Sequence, residues 1–231
     1  MLDKLNRRLI EHFGVPERNK RKPAPVDLLI ATILSQNTND NNSYEAYQNL
    51  KRKYPDWREL AKAPLKEIEK TIKKAGLTNQ KAGAIKNLVV NLSKDNRLDL
   101  KFINKMNNKE ALEFLTSFKG IGVKTASCVL LFSLYRNVCP VDTHVHRTLN
   151  RIGIVNEKSP EKTFLRINEN LPEGIAHSLH TNLIKLGRGI CRPTNPDCTV
   201  CPVADLCAYP EKNTQKAPKR KKNDFLLLDN V

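Results

Sequence analysis

Apolar residues recur at intervals of three and four along most of the chain. The pattern predicts helices over 25–36 (PVDLLIATILSQ), 43–54, 64–76, 79–95, 108–118, 123–135, 143–153, 161–171 and 175–187. The connectors are short and carry Gly, Pro, Asn or Asp, as at Gly76, Gly153, Pro160 and Pro172. No segment alternates apolar and polar residues as a half-buried strand would. The expectation is an all-α protein.

After Gly189 the helical period stops. The stretch CRPTNPDCTVCPVADLC is rich in Cys and Pro and offers no apolar helical face, so something other than a hydrophobic core has to order it. Residues 210–231 read as a basic tail, and its run Lys219–Lys222 reads as a solvated face before it reads as a contact to phosphate.

Composition narrows the function. The chain has 231 residues, 39% hydrophobic and 28% charged, a globular balance with no apolar run long enough to span a bilayer. The amphipathic N-terminus has no signal-peptide core, so a cytoplasmic protein is expected, nucleoid-associated if prokaryotic. Forty Lys and Arg against 24 Asp and Glu give a net charge of +16, for which a polyanionic partner, nucleic acid first, is the simplest reason.

Six cysteines are present, and four of them, Cys191, Cys198, Cys201 and Cys207, are spaced C-x6-C-x2-C-x5-C. Four thiolates suit tetrahedral zinc or an iron–sulfur cluster. Zinc sites usually pair two short knuckles, and only one occurs here, so the spacing favours a [4Fe–4S] cluster. Arg188 and Arg192 flank the first ligand, where they balance an anionic cluster or meet a phosphate. Cys128 reads as a small core residue, and Cys139 carries no chemical reading.

The stretch FKGIGVKTA, 118–126, carries two glycines one residue apart at the start of a helix. Gly120 and Gly122 can take positive φ, and the N–H groups of the turn and of Val123 then point outward as an anion site. With helices on either side this is a helix–hairpin–helix, a grip on DNA backbone that reads no sequence; the Walker pattern is absent. Lys119 and Lys124 flank the turn. By itself Lys124 reads as a phosphate contact. Asp142, in PVDTHVHR, reads as a helix N-cap. A helix over 123–135 rises roughly 20 Å, and the connector 136–141 spans at most about 21 Å when extended, so Asp142 can return to Lys124. A neutral lysine beside an ionised carboxylate can attack a sugar carbon and stabilise positive charge on the ring.

Together the hairpin with Lys124, the VDTHVHR segment with Asp142, the stretch ILSQNTND and the cysteine spacing resemble endonuclease III, a helix–hairpin–helix DNA glycosylase, over about residues 2–209. The resemblance implies two helical domains flanking a DNA groove: a six-helix barrel over about 25–136, and a cluster domain made of residues 1–24 with 137–209. It implies a monomer that acts on double-stranded DNA containing oxidised pyrimidines or abasic sites. Lys124 would attack C1′ of a flipped-out nucleotide and, through a Schiff base, cut the strand by β-elimination; Asp142 would activate the lysine or stabilise the oxocarbenium-like state. Gln36 or Asn37 would enter the gap left by the flipped base, their ordinary role being to cap the next helix, as Asn39 or Asp40 also could. His144 and His146 read as structural or DNA-facing. The alternatives are a monofunctional mismatch glycosylase and a non-catalytic iron–sulfur DNA-binding module.

Overall fold

The computed structural model describes residues 1–18, 22–94 and 96–215. Among them every regular element is helical. In chain order these are α1 (Leu2–Phe13), α2 (Pro25–Ser35), α3 (Asp40–Lys53), α4 (Trp57–Lys62), α5 (Leu65–Thr71), α6 (Thr78–Lys94), α7 (Asn108–Thr116), α8 (Val123–Cys128), α9 (Thr143–Ile152), α10 (Pro160–Glu169) and α11 (Ala176–Gly189). Short 3-10 turns lie at Lys73–Ala75, Lys101–Lys105 and Cys198–Val200. None of these helices is long and apolar enough to cross a membrane. The basic run Lys219–Lys222 falls outside the described residues.

The chain divides into two compact units, one of residues 22–136 and one of residues 1–18 with 137–215. The first is built on α2. Seven of its apolar positions and Thr32 are buried, on every face of the helix, so α2 is the central helix of the unit. Its first-turn Asp27 accepts hydrogen bonds from Trp57 Nε1 at 2.7 Å and Lys51 Nζ at 3.0 Å, which ties α3 and α4 to it. Among the described residues of this unit, six further α-helices, α3 to α8, follow α2. The span 64–76 resolves into α5 and a 3-10 turn, and α4 precedes it as a separate element capped by Asp56, whose carboxylate accepts from Arg58 N–H. At the far side, α8 passes into a π-helical turn over Val129–Ser133, so the predicted helix 123–135 is shorter and changes pitch half-way.

The second unit pairs α9 with α11 and lays α1 along α11. Leu5 and Leu9 of α1 are fully buried, and its polar face reaches α11 where Ser178 Oγ donates to Asn6 Oδ1 at 2.9 Å. Close approach of α9 to α11 demands Gly187, since a Cβ there would sit 2.8 Å from the Cβ of His144.

Candidate nucleic-acid interface and cysteine loop

In the unit of residues 22–136, the turn between α7 and α8 is closed by Ile121 N–H donating to Phe118 O at 3.1 Å. Gly120 has φ +87, and a Cβ on it would meet Ala84 Cβ at 2.6 Å, so both backbone and packing exclude a side chain. Gly122 is different. It is the N-cap of α8 with φ −91, not the positive φ that the sequence allowed, and nothing lies within 4 Å of its Cβ position. Folding does not require a glycine at 122; the open space lets an outside group approach the backbone. None of the N–H groups of Gly122, Val123, Lys124 and Thr125 meets an acceptor among the described residues, the orphan donors that make a helix start an anion site.

Lys124 sits in the first turn of α8, half-exposed, with its ammonium in no hydrogen bond or ion pair among the described residues. A cation at this end of a helix is opposed by the macrodipole, so helix stability does not explain the lysine. Lys119 is exposed at the tip of the turn.

A second turn, after α2, lies beside this one. Gln36 Nε2 donates to Gly120 O at 3.3 Å and to Thr125 Oγ1 at 3.4 Å, so its amide is engaged by the hairpin. Asn37 is exposed and held at φ 50. Neither caps α3; Asn39 does, accepting from Asn42 N–H at 2.9 Å. A third turn, before α6, holds Leu77 at φ 47 with half of its surface exposed. A bulky apolar residue in the left-handed region and in solvent is strained twice over. Sequence reasoning passed over Leu77, and its only signal was an apolar residue directly after a glycine.

In the other unit, Asp142 is the N-cap of α9. Its Oδ1 accepts from His144 N–H at 2.9 Å and Val145 N–H at 2.8 Å, which leaves Oδ2 outside the cap. His146 pairs with Thr163 Oγ1 at 2.8 Å, a structural role, and burial depresses the His144 imidazole below its ordinary value.

The opposite end of α9 holds the cysteine loop. Arg147 donates to Cys191 O from Nε at 3.1 Å and to Gly187 O at 2.8 Å. Arg151 donates to Arg192 O at 2.7 Å, Pro193 O at 3.0 Å and Cys191 Sγ at 3.7 Å, and stacks on Tyr209. Arg192 donates to Gly189 O at 2.9 Å and to Asn195 O at 2.8 Å, within its own loop. Hydrogen bonds to backbone carbonyls thus stand in for the missing apolar face. Cys191, Cys198, Cys201 and Cys207 line one cavity. No three His, Cys, Asp or Glu side chains among the described residues converge as for a single ion; around zinc, bonds of about 2.3 Å would hold the sulfurs roughly 3.8 Å apart. Burial pushes the Cys201 thiol up to about 11, and its three cysteine neighbours add to the shift. Cys128 and Cys139 are both buried, and neither lines this cavity.

Residues 30–173 match the family described as HhH-GPD superfamily base excision DNA repair protein. The chain is 34% identical over 211 residues to Endonuclease III of Thermotoga maritima, covering 90% of this chain and 93% of that protein. It is 33% identical to Endonuclease III of Sulfolobus acidocaldarius, over 78% and 80% of the two chains. Among solved structures, a trapped endonuclease III–DNA covalent intermediate superposes with a TM-score of 0.75 at 25% identity, covering 90% of this chain and 96% of the other. A non-covalent endonuclease III–DNA complex gives 0.73 at 26%, over 90% and 94%.

Proposed function

The chain belongs to the HhH-GPD superfamily of base excision DNA repair proteins and is a DNA glycosylase; we propose that it removes oxidised pyrimidines and then cuts the abasic strand through a Schiff base on Lys124. The observation that carries this reading is the placement of Lys124, an ammonium that has no acidic partner among the described residues and lies beside four N–H groups that meet no acceptor among them. Those donors take a DNA phosphate, and the lysine is then held at the adjoining sugar.

In its neutral form Lys124 attacks C1′ as the bond to the damaged base breaks and the base leaves with a proton. The amine–sugar bond becomes an iminium when the ring opens. Loss of a proton from C2′ then expels the 3′ phosphate. Asp142 takes the lysine proton or stabilises positive charge on the ring, a role open to the carboxylate oxygen that the helix cap leaves unused. Gln36 is engaged by the hairpin, so we assign Asn37 to the gap left by the flipped nucleotide and Leu77 to a wedge between bases.

We assign Cys191, Cys198, Cys201 and Cys207 to a [4Fe–4S] cluster. Four thiols lining one cavity are the donor set for a group in which each cysteine takes a different iron. Such a cluster supplies cross-links to a loop that buries few side chains, and Arg147 and Arg151 carry that order to α9. Anaerobically purified protein is expected to be brown with a broad visible absorbance, lost in Cys198→Ser; a colourless, zinc-loaded protein would overturn the assignment.

The two glycines are expected to separate fold from grip. Gly120→Ala should cost about 2–4 kcal/mol, from positive φ and overpacking combined. Gly122→Ala should change stability by under about 0.5 kcal/mol, yet weaken DNA binding several-fold. Denaturant melts and a binding titration check both.

The function is tested with borohydride. Full-length protein incubated with thymine-glycol duplex should give a covalent protein–DNA adduct and, without borohydride, a nick. Base release with neither adduct nor nick would turn the reading to a monofunctional mismatch glycosylase. Binding without turnover on any damaged base would turn it to a non-catalytic module.

A further inference from the structure

We infer that Lys81 is a positioning residue whose ammonium locks the turn after α2 to the turn before α6, so that Asn37 and Leu77 meet DNA as one rigid unit. The inference rests on the reading above that these two turns enter the duplex.

Lys81 lies in the first turn of α6 and is 3% exposed. Its Nζ donates to Leu34 O at 2.8 Å and to Ala75 O at 2.7 Å. Leu34 is in the last turn of α2, three residues before Asn37; Ala75 ends the 3-10 turn, two residues before Leu77. A single ammonium therefore gathers the backbone immediately upstream of both exposed residues. Both of those residues are held at positive φ, 50 and 47. Asparagine adopts that conformation readily, whereas for leucine it lasts only where the surroundings over-determine it. The turn after α2 has a second tether in the Gln36 amide. The turn before α6 is closed along its own backbone, by Ala75 N–H to Ile72 O at 2.9 Å, Gly76 N–H to Lys73 O at 3.3 Å and Lys81 N–H to Leu77 O at 3.0 Å, and the Lys81 ammonium is the side chain that joins it to the end of α2.

Stability pulls two ways at position 81. The start of α6 disfavours a cation, and burial pushes the ammonium down to about 8. An apolar side chain of the same length would avoid both costs and would leave two carbonyls without their donor. What the ammonium adds beyond those two bonds is a fixed spacing between the two turns. That spacing matters to a pair of side chains that must straddle one base step, where a displacement of about 1 Å can cost on the order of a hundredfold.

The test reads duplex opening apart from base removal. Full-length protein is titrated onto a duplex with a tetrahydrofuran abasic analogue next to 2-aminopurine, whose fluorescence rises as the stack opens. Lys81→Met should cut the rise at saturation at least threefold, with affinity for undamaged duplex within twofold of wild type. Lys81→Arg, which can still donate to both carbonyls, should restore at least half of it. Trp57→Phe, which removes the bond to Asp27 elsewhere in the unit, should lower Tm and leave the rise unchanged. A wild-type rise in Lys81→Met, or an equal loss in Trp57→Phe, overturns the inference. Absence of a rise with the wild type removes the wedge reading itself, and the inference with it. Should Lys81→Met fail to fold, hydrogen exchange on the wild type decides. The inference requires amides of residues 36–38 and 76–78 to open together with one rate, and independent opening refutes it.

Discussion

Lys124→Gln is expected to lower single-turnover excision and strand cleavage by about a thousandfold or more, since removal of a covalent nucleophile leaves only binding and electrostatic assistance. Borohydride should then trap no adduct. Affinity for DNA should stay within a few-fold, because the phosphate grip comes from N–H groups that the substitution does not touch. Glutamine has better electrostatics than lysine at a helix start, and position 124 is half-exposed, so Tm should hold or rise. That combination separates the two readings of the lysine. A phosphate-contacting Lys124 would give weaker binding, a shallower salt dependence and intact chemistry. Equal trapping by Lys124→Gln and wild type would sink the assignment of Lys124 as nucleophile.

Helices long enough to show periodicity could be read from sequence. Thr143–Ile152 begins where Asp142 signals a cap, and Asn108–Thr116 follows the Asn107 and Glu110 capping box. The helix Trp57–Lys62 escaped because six residues with two buried side chains are too few for a period to show. Lys81 escaped for the opposite reason. A lysine in a periodic helix reads as its solvated face, and only the carbonyls of Leu34, 47 residues away, and Ala75 explain its burial. Arg147 and Arg151 escaped likewise. Their partners at Cys191 to Pro193 lie 40 or more residues downstream, a distance over which local pattern carries no information. The glycines show a further limit. The sequence offers Gly120 and Gly122 the same freedom; the fold uses it at Gly120, while Gly122 is a cap at negative φ with open space beside it.

Asp142→Asn should lower the excision rate by about 10²–10⁴-fold, the range of a lost general base or charge partner, with little loss of stability. The cap is the reason that the two effects come apart. Oδ1 of Asp142 accepts both N–H groups at the start of α9, and an asparagine carbonyl accepts the same pair, for Asn and Asp rank alike as N-caps. What disappears is the charge, worth about 0.3–1 kcal/mol against the helix dipole, and the capacity to take a proton. Asp142→Ala removes the cap too and should cost about 1 kcal/mol more, with a rate no lower than that of the asparagine variant. Thermal melts beside single-turnover rates on thymine-glycol duplex read both axes. An asparagine variant of wild-type rate, with an alanine variant slow only in proportion to its lost stability, would reduce Asp142 to a cap. Lys124 would then need its proton acceptor elsewhere. With the asparagine variant slow and stable, one side chain does both jobs: Oδ1 fixes the start of α9, and the remaining negative charge serves the sugar.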